Sequence, residues 1–423
     1  MANNRRLILL NPHSHSFGST VGAKIFRRKD FYKYSYFVEH FLKNQLMPTG
    51  ILLDFRRSSF AGTPLYFLAK FKIVIFLEFL FWLALNRINP FRVKVYFSIK
   101  SLETNKDVLF DFAKSIVDGQ RAAASAFLEY NGLKLLHLTH YFQDPKLLQE
   151  KLSNQRNLML CAEANLTKSI FFQKYFPDCP SVYILPFVAK EKFRIALPNP
   201  DKVKKCLAIG SIGRLKSQAV MDFYPFVDAI QPMRAIILRE SKRSPEIFTC
   251  RIKGPNTDPG SDHSLRRFTS CFNLKRLKDL FWTASEKKGN EFQYFNFNLI
   301  DDFSGHTMFI APEEITGLPS INFVEGMSQG CLYLGASESI YQDYGMVAGF
   351  HYVSYKELDF KDLEQTVKYL MKNSELSSFI GKNGREFALR EFSAQNVSKK
   401  FVEDIYTMDN PSDSKWIVLK RFS

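Results

Sequence analysis

The chain has 423 residues, 46% of them apolar, which exceeds one ordinary domain and supplies two cores of roughly 200 residues each. The net charge of +16 is uneven: residues 1–100 carry sixteen Lys and Arg against four acids, so +12 sits in the first quarter. Six scattered cysteines (Cys161, Cys179, Cys206, Cys250, Cys271, Cys331) with no CxxC pair exclude a disulfide framework and a zinc site, and point to a reducing compartment.

The N-terminus carries too short an apolar run for a signal peptide, and 6–11 reads as a first strand. A helix at 31–45 and a strand at 50–55 follow. Segment 64–85 is strongly apolar, but Lys70, Lys72 and Glu78 interrupt it, so its uninterrupted runs fall short of the roughly 20 residues that cross a bilayer. Two readings stand for it: a core helix, or a surface that attaches peripherally to an anionic leaflet beside the basic first quarter. The charge also raises nucleic acid as a partner. No recognition motif or regular basic stripe accompanies it, and none is expected.

The alternation continues with a strand at 93–99, helices at 107–117 and 122–128, and a strand at 134–139. A short helix at 146–151, a strand at 156–161, a helix at 165–175 and a strand at 182–185 close the first half. Segment 189–204, with two prolines, several lysines and no apolar period, reads as a linker. A strand at 206–209, a helix at 219–229, a strand at 233–238 and a loop at 254–263 come next. A basic helix near 264–280 and strands at 295–300 and 308–310 follow, then strands at 332–334 and 352–353. Helices at 361–372, 375–382, 385–392 and 394–406 end the chain. Strands separated by helices imply βαβ units, hence two α/β Rossmann-like parallel-sheet domains, 1–188 and 205–393, facing a cleft. The last segment, 394–423, is expected to pack back on the first domain.

The richest stretch is 312–331, PEEITGLPSINFVEGMSQGC. It runs from a strand end through a Gly/Pro turn into a short helix that stops at Gly330. A turn carrying Gly317 and Ser320 at a helix N-terminus offers backbone N–H groups and the positive end of a dipole to phosphate. Glu325 follows one to two turns later, where a carboxylate can bind the two hydroxyls of a ribose. The plainer reading is an ordinary strand-turn-helix unit with a solvent-exposed Glu. His13, His15 and Gly18 lie in the loop after the first strand, at the carboxyl edge where parallel sheets bind ligands, and are candidates for sugar or acceptor contacts. A His-x-His pair without further ligands is not expected to hold a metal.

The second half resembles the nucleotide-binding domain of GT-B glycosyltransferases, in particular the retaining glycosyltransferase family 4. The resemblance rests on 182–186 followed by Phe193, on Gly210-Ser211-Ile212-Gly213-Arg214-Leu215-Lys216, on 323–331, and on 361–370 followed by Phe392. It covers roughly residues 156–406 and implies a GT-B fold. The implied reaction is transfer of a hexose from a UDP- or GDP-linked sugar, with retention and without metal or cofactor. The implied acceptor is a glycan or lipid-linked glycan at the cytoplasmic face of a membrane. It implies that Ser211, Gly213, Arg214, Lys216, Gly317, Leu318, Pro319, Ser320 and Glu325 hold the donor, and that an acid and a histidine stand near the transferred sugar. Glu313 and Glu314 are the acids nearest the family's first glutamate, whose position falls on Gly317 here. His137 and His140 end a strand where the family often keeps a histidine; a His at a strand end is also commonly structural. Arg239 is a third candidate cation, His306 a further ambiguous histidine, and 296–300 a candidate base-binding segment. The first 150 residues carry no family motif. A GT-B epimerase and a non-catalytic nucleotide- or glycan-binding protein are the alternatives.

Overall fold

In the computed structural model, residues 5–12, 35–44, 46–54, 72–85, 87–111, 124–138, 140–194, 201–213, 215, 217–254 and 298–417 are described. They form two all-parallel α/β sheets, each the centre of its own compact unit.

The first unit comprises Met1–Val188, Ser217–Ala219 and Ala394–Ser423. Its strands are β1 (Arg6–Leu10), β2 (Thr49–Leu52), β3 (Lys94–Tyr96), β4 (Asp107–Asp111), β5 (Leu133–His137), β6 (Leu158–Ala162) and β7 (Val182–Ile184). They lie in the order β3-β2-β1-β4-β5-β6-β7, each pair parallel. The central strands are buried along both faces, which is why they read as continuous apolar runs rather than alternating ones.

That property misleads at one point. Segment 107–117 reads as a helix, yet Asp107–Asp111 is the strand β4. A short apolar run such as Val108-Leu109-Phe110 has no periodicity that separates a buried strand from a buried helix. Asp107, at its start, is held by Arg6 (Nε to Oδ1 2.6 Å), and its carbonyl accepts from the Tyr130 hydroxyl at 2.9 Å.

The last helix, Ala394–Thr407, belongs to this unit. Phe401 is 1% exposed, with Phe37, Phe41, Phe110 and Tyr183 rings at 5.2–5.9 Å. Arg5, itself buried, donates to the carbonyls of Met408 and Asp409. The described part of the apolar segment is the helix Lys72–Leu85, which buries Phe79, Trp82 and Leu83 and exposes Leu77. No helix among the described residues is long and apolar enough to cross a membrane.

The second unit comprises Ala189–Lys216 and Val220–Ser393. Its strands are β8 (Val203–Ser211), β9 (Phe248–Lys253), β10 (His306–Ile310), β11 (Leu332–Gly335) and β12 (Val353–Ser354), ordered β12-β11-β10-β8-β9 and all parallel. The chain leaves β8 toward β9 on one side and later returns to β10 on the other. The carboxyl edge between β8 and β10 is therefore a topological switch point, the usual ligand crevice of an open parallel sheet.

Several sequence expectations change here. Segment 233–238 is not a strand: Pro232–Glu240 is a helix, with Pro232 in its first turn and Gln231 before it. The strand beside β8 is Phe248–Lys253, whose mixed burial hides it in the sequence. Residues 299–300 belong to the helix Leu299–Gly305, where Asn298 caps the N-terminus and accepts from the Ile300 amide at 3.2 Å; 296–297 lie outside the described residues. The helix expected at 219–229 stops at Phe223, two residues before Pro225. The two helices expected at 375–382 and 385–392 are one, Ser374–Glu391. Gly384 is not a breaker there: a Cβ on it would stand 2.5 Å from the His351 carbonyl, so the glycine permits close packing.

The described residues of the stretch read as a linker, 189–194 and 201–204, belong to this unit. Residues Glu191–Arg194 are helical, Phe193 is fully buried, and the Ala189 amide donates to the Phe392 carbonyl at 2.8 Å. The basic helix expected near 264–280 lies outside the described residues.

Candidate functional site

After β10 the chain passes through Ala311–Glu314 and closes a turn. The Glu314 amide donates to the Leu318 carbonyl (2.8 Å) and the Gly317 amide to the Glu314 carbonyl (2.9 Å). Gly317 sits at φ 91°, a conformation glycine adopts without strain. The Gly317 amide is thus used inside the turn and is not open to a ligand, contrary to expectation. The amides of Leu318, Ser320 and Ile321 donate to no described residue. The helix Asn322–Ser328 follows and ends at Gly330, φ 71°. Gly326 presses this helix on β10: a Cβ there would be 2.4 Å from the Phe309 ring.

Glu325 projects from the first turn of that helix and is not a solvent-exposed residue. Its side chain is 2% exposed, and Lys190 Nζ lies 3.0 Å from Oε1. A carboxylate that deep needs a charge partner, and the Lys190 ammonium supplies it. Lys190 was hidden in the sequence, since it fell in a lysine-rich stretch that read as linker.

Glu313 and Glu314 point into different networks. Glu313 Oε1 accepts from the Tyr341 hydroxyl, from the Ala336 amide at 3.1 Å and from the Tyr333 hydroxyl at 3.4 Å. The two tyrosine oxygens are 2.6 Å apart. Burial pushes the Glu313 carboxyl up, against the pull of these donors, and burial likewise drives both tyrosines well above their usual value. Glu313 is a post joining the ends of β10 and β11. Glu314 Oε1 accepts from Gln231 Nε2 at 3.1 Å.

The turn after β8 is tied to the same place. Gly210 (φ 137°) leaves room for the Arg234 guanidinium, which a Cβ would approach to 2.9 Å. Arg234, 6% exposed, donates to the Ser211 carbonyl (2.9 Å) and through two nitrogens to the Pro312 carbonyl (3.0 and 2.7 Å). The Gly213 amide donates to Gln231 Oε1 at 2.9 Å. Ser211, Gly213, Glu314, Gly317, Leu318, Pro319, Ser320 and Glu325 therefore all belong to the carboxyl edge of β8 and β10. Arg214 and Lys216 lie outside the described residues. Arg234 escapes the sequence because 233–238 reads as a strand, and Gln231 because it falls between that segment and the helix expected at 219–229. A lone Arg in an apolar run behind Gln-Pro was the signal available.

Arg239 does not join this edge. It sits at the far end of the Pro232–Glu240 helix, 70% exposed, with Nε 2.7 Å from Glu240 Oε1. His306 opens β10 at the opposite edge of the sheet, with Nδ1 2.7 Å from the Asp302 carbonyl and Nε2 3.0 Å from Thr249 Oγ1. In the first unit His137 ends β5, fully buried, and His140 follows in a left-handed conformation, φ 53°. His13, His15 and Gly18 lie outside the described residues. Among the described residues no cluster of three or more His, Cys, Asp or Glu side chains could hold a metal ion.

No family model matches the chain, and no curated protein does. Solved structures resemble it over nearly their whole length. A glycosyltransferase from Rickettsia africae aligns at 12% identity over 96% of this chain and 98% of its own, TM-score 0.48. Anabaena HepE in complex with UDP-glucose aligns at 12% identity over 95% and 99%, TM-score 0.49. Sucrose-phosphate synthase from Thermosynechococcus elongatus aligns at 10% identity over 94% and 98%, TM-score 0.47. At this identity and these scores the likenesses carry no weight for function, which has to come from the residues themselves.

Proposed function

We propose that the chain is a retaining glycosyltransferase of GT-B architecture that moves a hexose from a UDP- or GDP-linked sugar to a saccharide acceptor. The observation that carries this reading is the buried Glu325 carboxylate. It stands one turn beyond the amides of Leu318, Ser320 and Ile321, at the switch point between β8 and β10. A nucleoside diphosphate presents both partners this arrangement calls for: hydroxyls for the carboxylate and phosphate oxygens for the amides. The residue order 210–216, 323–331 and 361–370 followed by Phe392, similar to family 4, supports the same assignment.

The chemistry needs no protein nucleophile. The acceptor hydroxyl attacks the anomeric carbon on the face from which the diphosphate departs. The new glycosidic C–O bond forms as the bond to phosphate breaks, and a phosphate oxygen takes the hydroxyl proton. Arg214, Lys216 and these amides stabilise the charge on the leaving diphosphate. His13, His15, Gly18, His137 and His140 are assigned to the sugar and acceptor side, and Glu314 to the sugar end of the donor.

The acceptor is proposed to be lipid-linked, with the protein peripheral on an anionic, cytoplasmic membrane face. Supporting this, Leu77, Phe91 and Phe97 are exposed in the same stretch as exposed Arg87, Arg92, Lys94 and Lys100.

A thermal-shift screen with UDP, GDP, CMP and their sugar conjugates tests the donor site, because a bound nucleotide stabilises by mass action. Stabilisation by one diphosphate series supports the reading, and no shift with any of them overturns it. For the membrane, pelleting with anionic vesicles at low salt and release by salt is expected. Failure to pellet removes that part.

A further inference from the structure

Residues 230–234 hold two separate segments of the proposed donor site at once. The Ile230 carbonyl accepts from the Ile315 amide at 2.9 Å, and Arg234 binds the Ser211 and Pro312 carbonyls. Between them Gln231, 7% exposed, accepts from the Gly213 amide with Oε1 (2.9 Å) and donates to Glu314 Oε1 with Nε2 (3.1 Å). The chemistry of this position is restrictive. Gly213 N–H can only donate and an ionised carboxylate can only accept, so the bridging side chain must present an acceptor and a donor side by side. A primary amide does so; a carboxylate lacks the donor and an ammonium lacks the acceptor.

The geometry points to Gln231 as a positioning residue for the donor. Its amide sets the orientation of the Glu314 carboxylate relative to the Gly213 turn, and so the distance between the diphosphate end and the sugar end of the site. This rests on the donor-site reading above. Ile230 through its carbonyl and Arg234 through its guanidinium tie the same segments, so the fold keeps these ties when the Gln231 amide is replaced. What Gln231 adds is a fixed direction for Glu314.

The test is a polarity swap in the full chain. Gln231→Glu keeps the acceptor for Gly213 but sets two carboxylates against each other, one of which must take a proton or turn away. Gln231→Met removes both bonds. The double variant Gln231→Glu/Glu314→Gln restores an acceptor for Gly213 and a donor-acceptor pair with the direction reversed. Affinity for the sugar nucleotide that stabilises the wild type is measured by calorimetry from about pH 5 to 8, with Tm recorded alongside. Gln231→Met and Gln231→Glu are expected to weaken binding about 10–100-fold at neutral pH, the size of a charge-assisted hydrogen bond. The Glu variant should regain affinity as the pH falls and the carboxylate pair shares a proton. The double variant should bind within about threefold of Glu314→Gln alone, which removes the carboxylate but not the bridge to Gly213, and should lose that pH dependence.

Wild-type affinity in Gln231→Met overturns the inference, as does a double variant that binds much more weakly than Glu314→Gln alone. Should Gln231→Met also lower Tm, the Glu variant decides: a pH-independent loss marks a merely structural residue and overturns the assignment, and recovery on acidification supports it. A wild type that binds no nucleotide overturns the donor-site reading itself, which separates the two failures.

Discussion

Lys190 Nζ lies 3.0 Å from Glu325 Oε1, and the carboxylate it meets is 2% exposed while Lys190 is 20% exposed. Lys190, near the start of the second unit, is thus the counter-ion of the carboxylate assigned to the nucleotide. Removing Lys190 leaves a buried charge unpaired. Because Lys190 is partly solvated, Lys190→Met is expected to cost about 1–3 kcal/mol rather than the larger penalty of a fully buried pair. In a Glu325→Gln background the same change should cost under about 0.5 kcal/mol, which urea unfolding of the four proteins of the cycle would show.

Glu325→Gln should weaken nucleotide binding by about 10–100-fold, since an amide nitrogen replaces one of the two acceptor oxygens. Calorimetry with the stabilising nucleoside diphosphate checks it. Unchanged affinity in a folded variant would remove Glu325 from the ribose.

Gly326→Ala places a methyl 2.4 Å from the Phe309 ring and should cost about 1–3 kcal/mol through overpacking. A second change that shrinks the ring, Phe309→Leu, should recover part of that loss. Equal Tm for wild type and Gly326→Ala would show that the helix can back away from β10 freely.

The Glu313 carboxyl is raised by burial, so its pH effect has a definite sign. The unfolded chain ionises this acid in the ordinary carboxylate range, near about pH 4. Above that range and below the raised folded value, the folded state holds the extra proton. The stability Glu313 contributes is complete below the unfolded value and is lost as pH rises through the folded one. Wild-type stability, measured relative to Glu313→Gln, should therefore fall with rising pH from about pH 4 and then level off. A difference that stays flat or rises with pH would contradict the burial argument.

Phe401→Ala should destabilise the first unit by about 3–5 kcal/mol, because the ring meets Phe37, Phe41, Phe110 and Tyr183 in a closed core. The readout is the urea midpoint followed by near-UV circular dichroism. A loss under about 0.5 kcal/mol, the range of surface substitutions, would mean the last helix is only loosely attached.

Much of this architecture was legible in the residues. Parallel strands buried on both faces advertise themselves as short runs of Val, Ile, Leu and Phe, and the glycines at 317 and 330 punctuate the turn and the helix stop. The same property blurred β4 and the Pro232–Glu240 helix, because a run of four or five apolar residues suits a buried strand and a buried helix equally. The edge strand β9 stayed hidden for the opposite reason: its polar face gave no continuous run.

From the sequence alone came two α/β domains and the 312–331 segment with Glu325 as its central residue. Local chemistry suffices for that, since turn, dipole and carboxylate lie within twenty consecutive residues. Partners came only from the tertiary structure. Lys190 stands 135 positions from Glu325, and Gln231 and Arg234 are about eighty from Glu314 and Pro312. Ion pairs and amide bridges of that separation are made by the crossing of strands at a sheet edge, which no local pattern encodes.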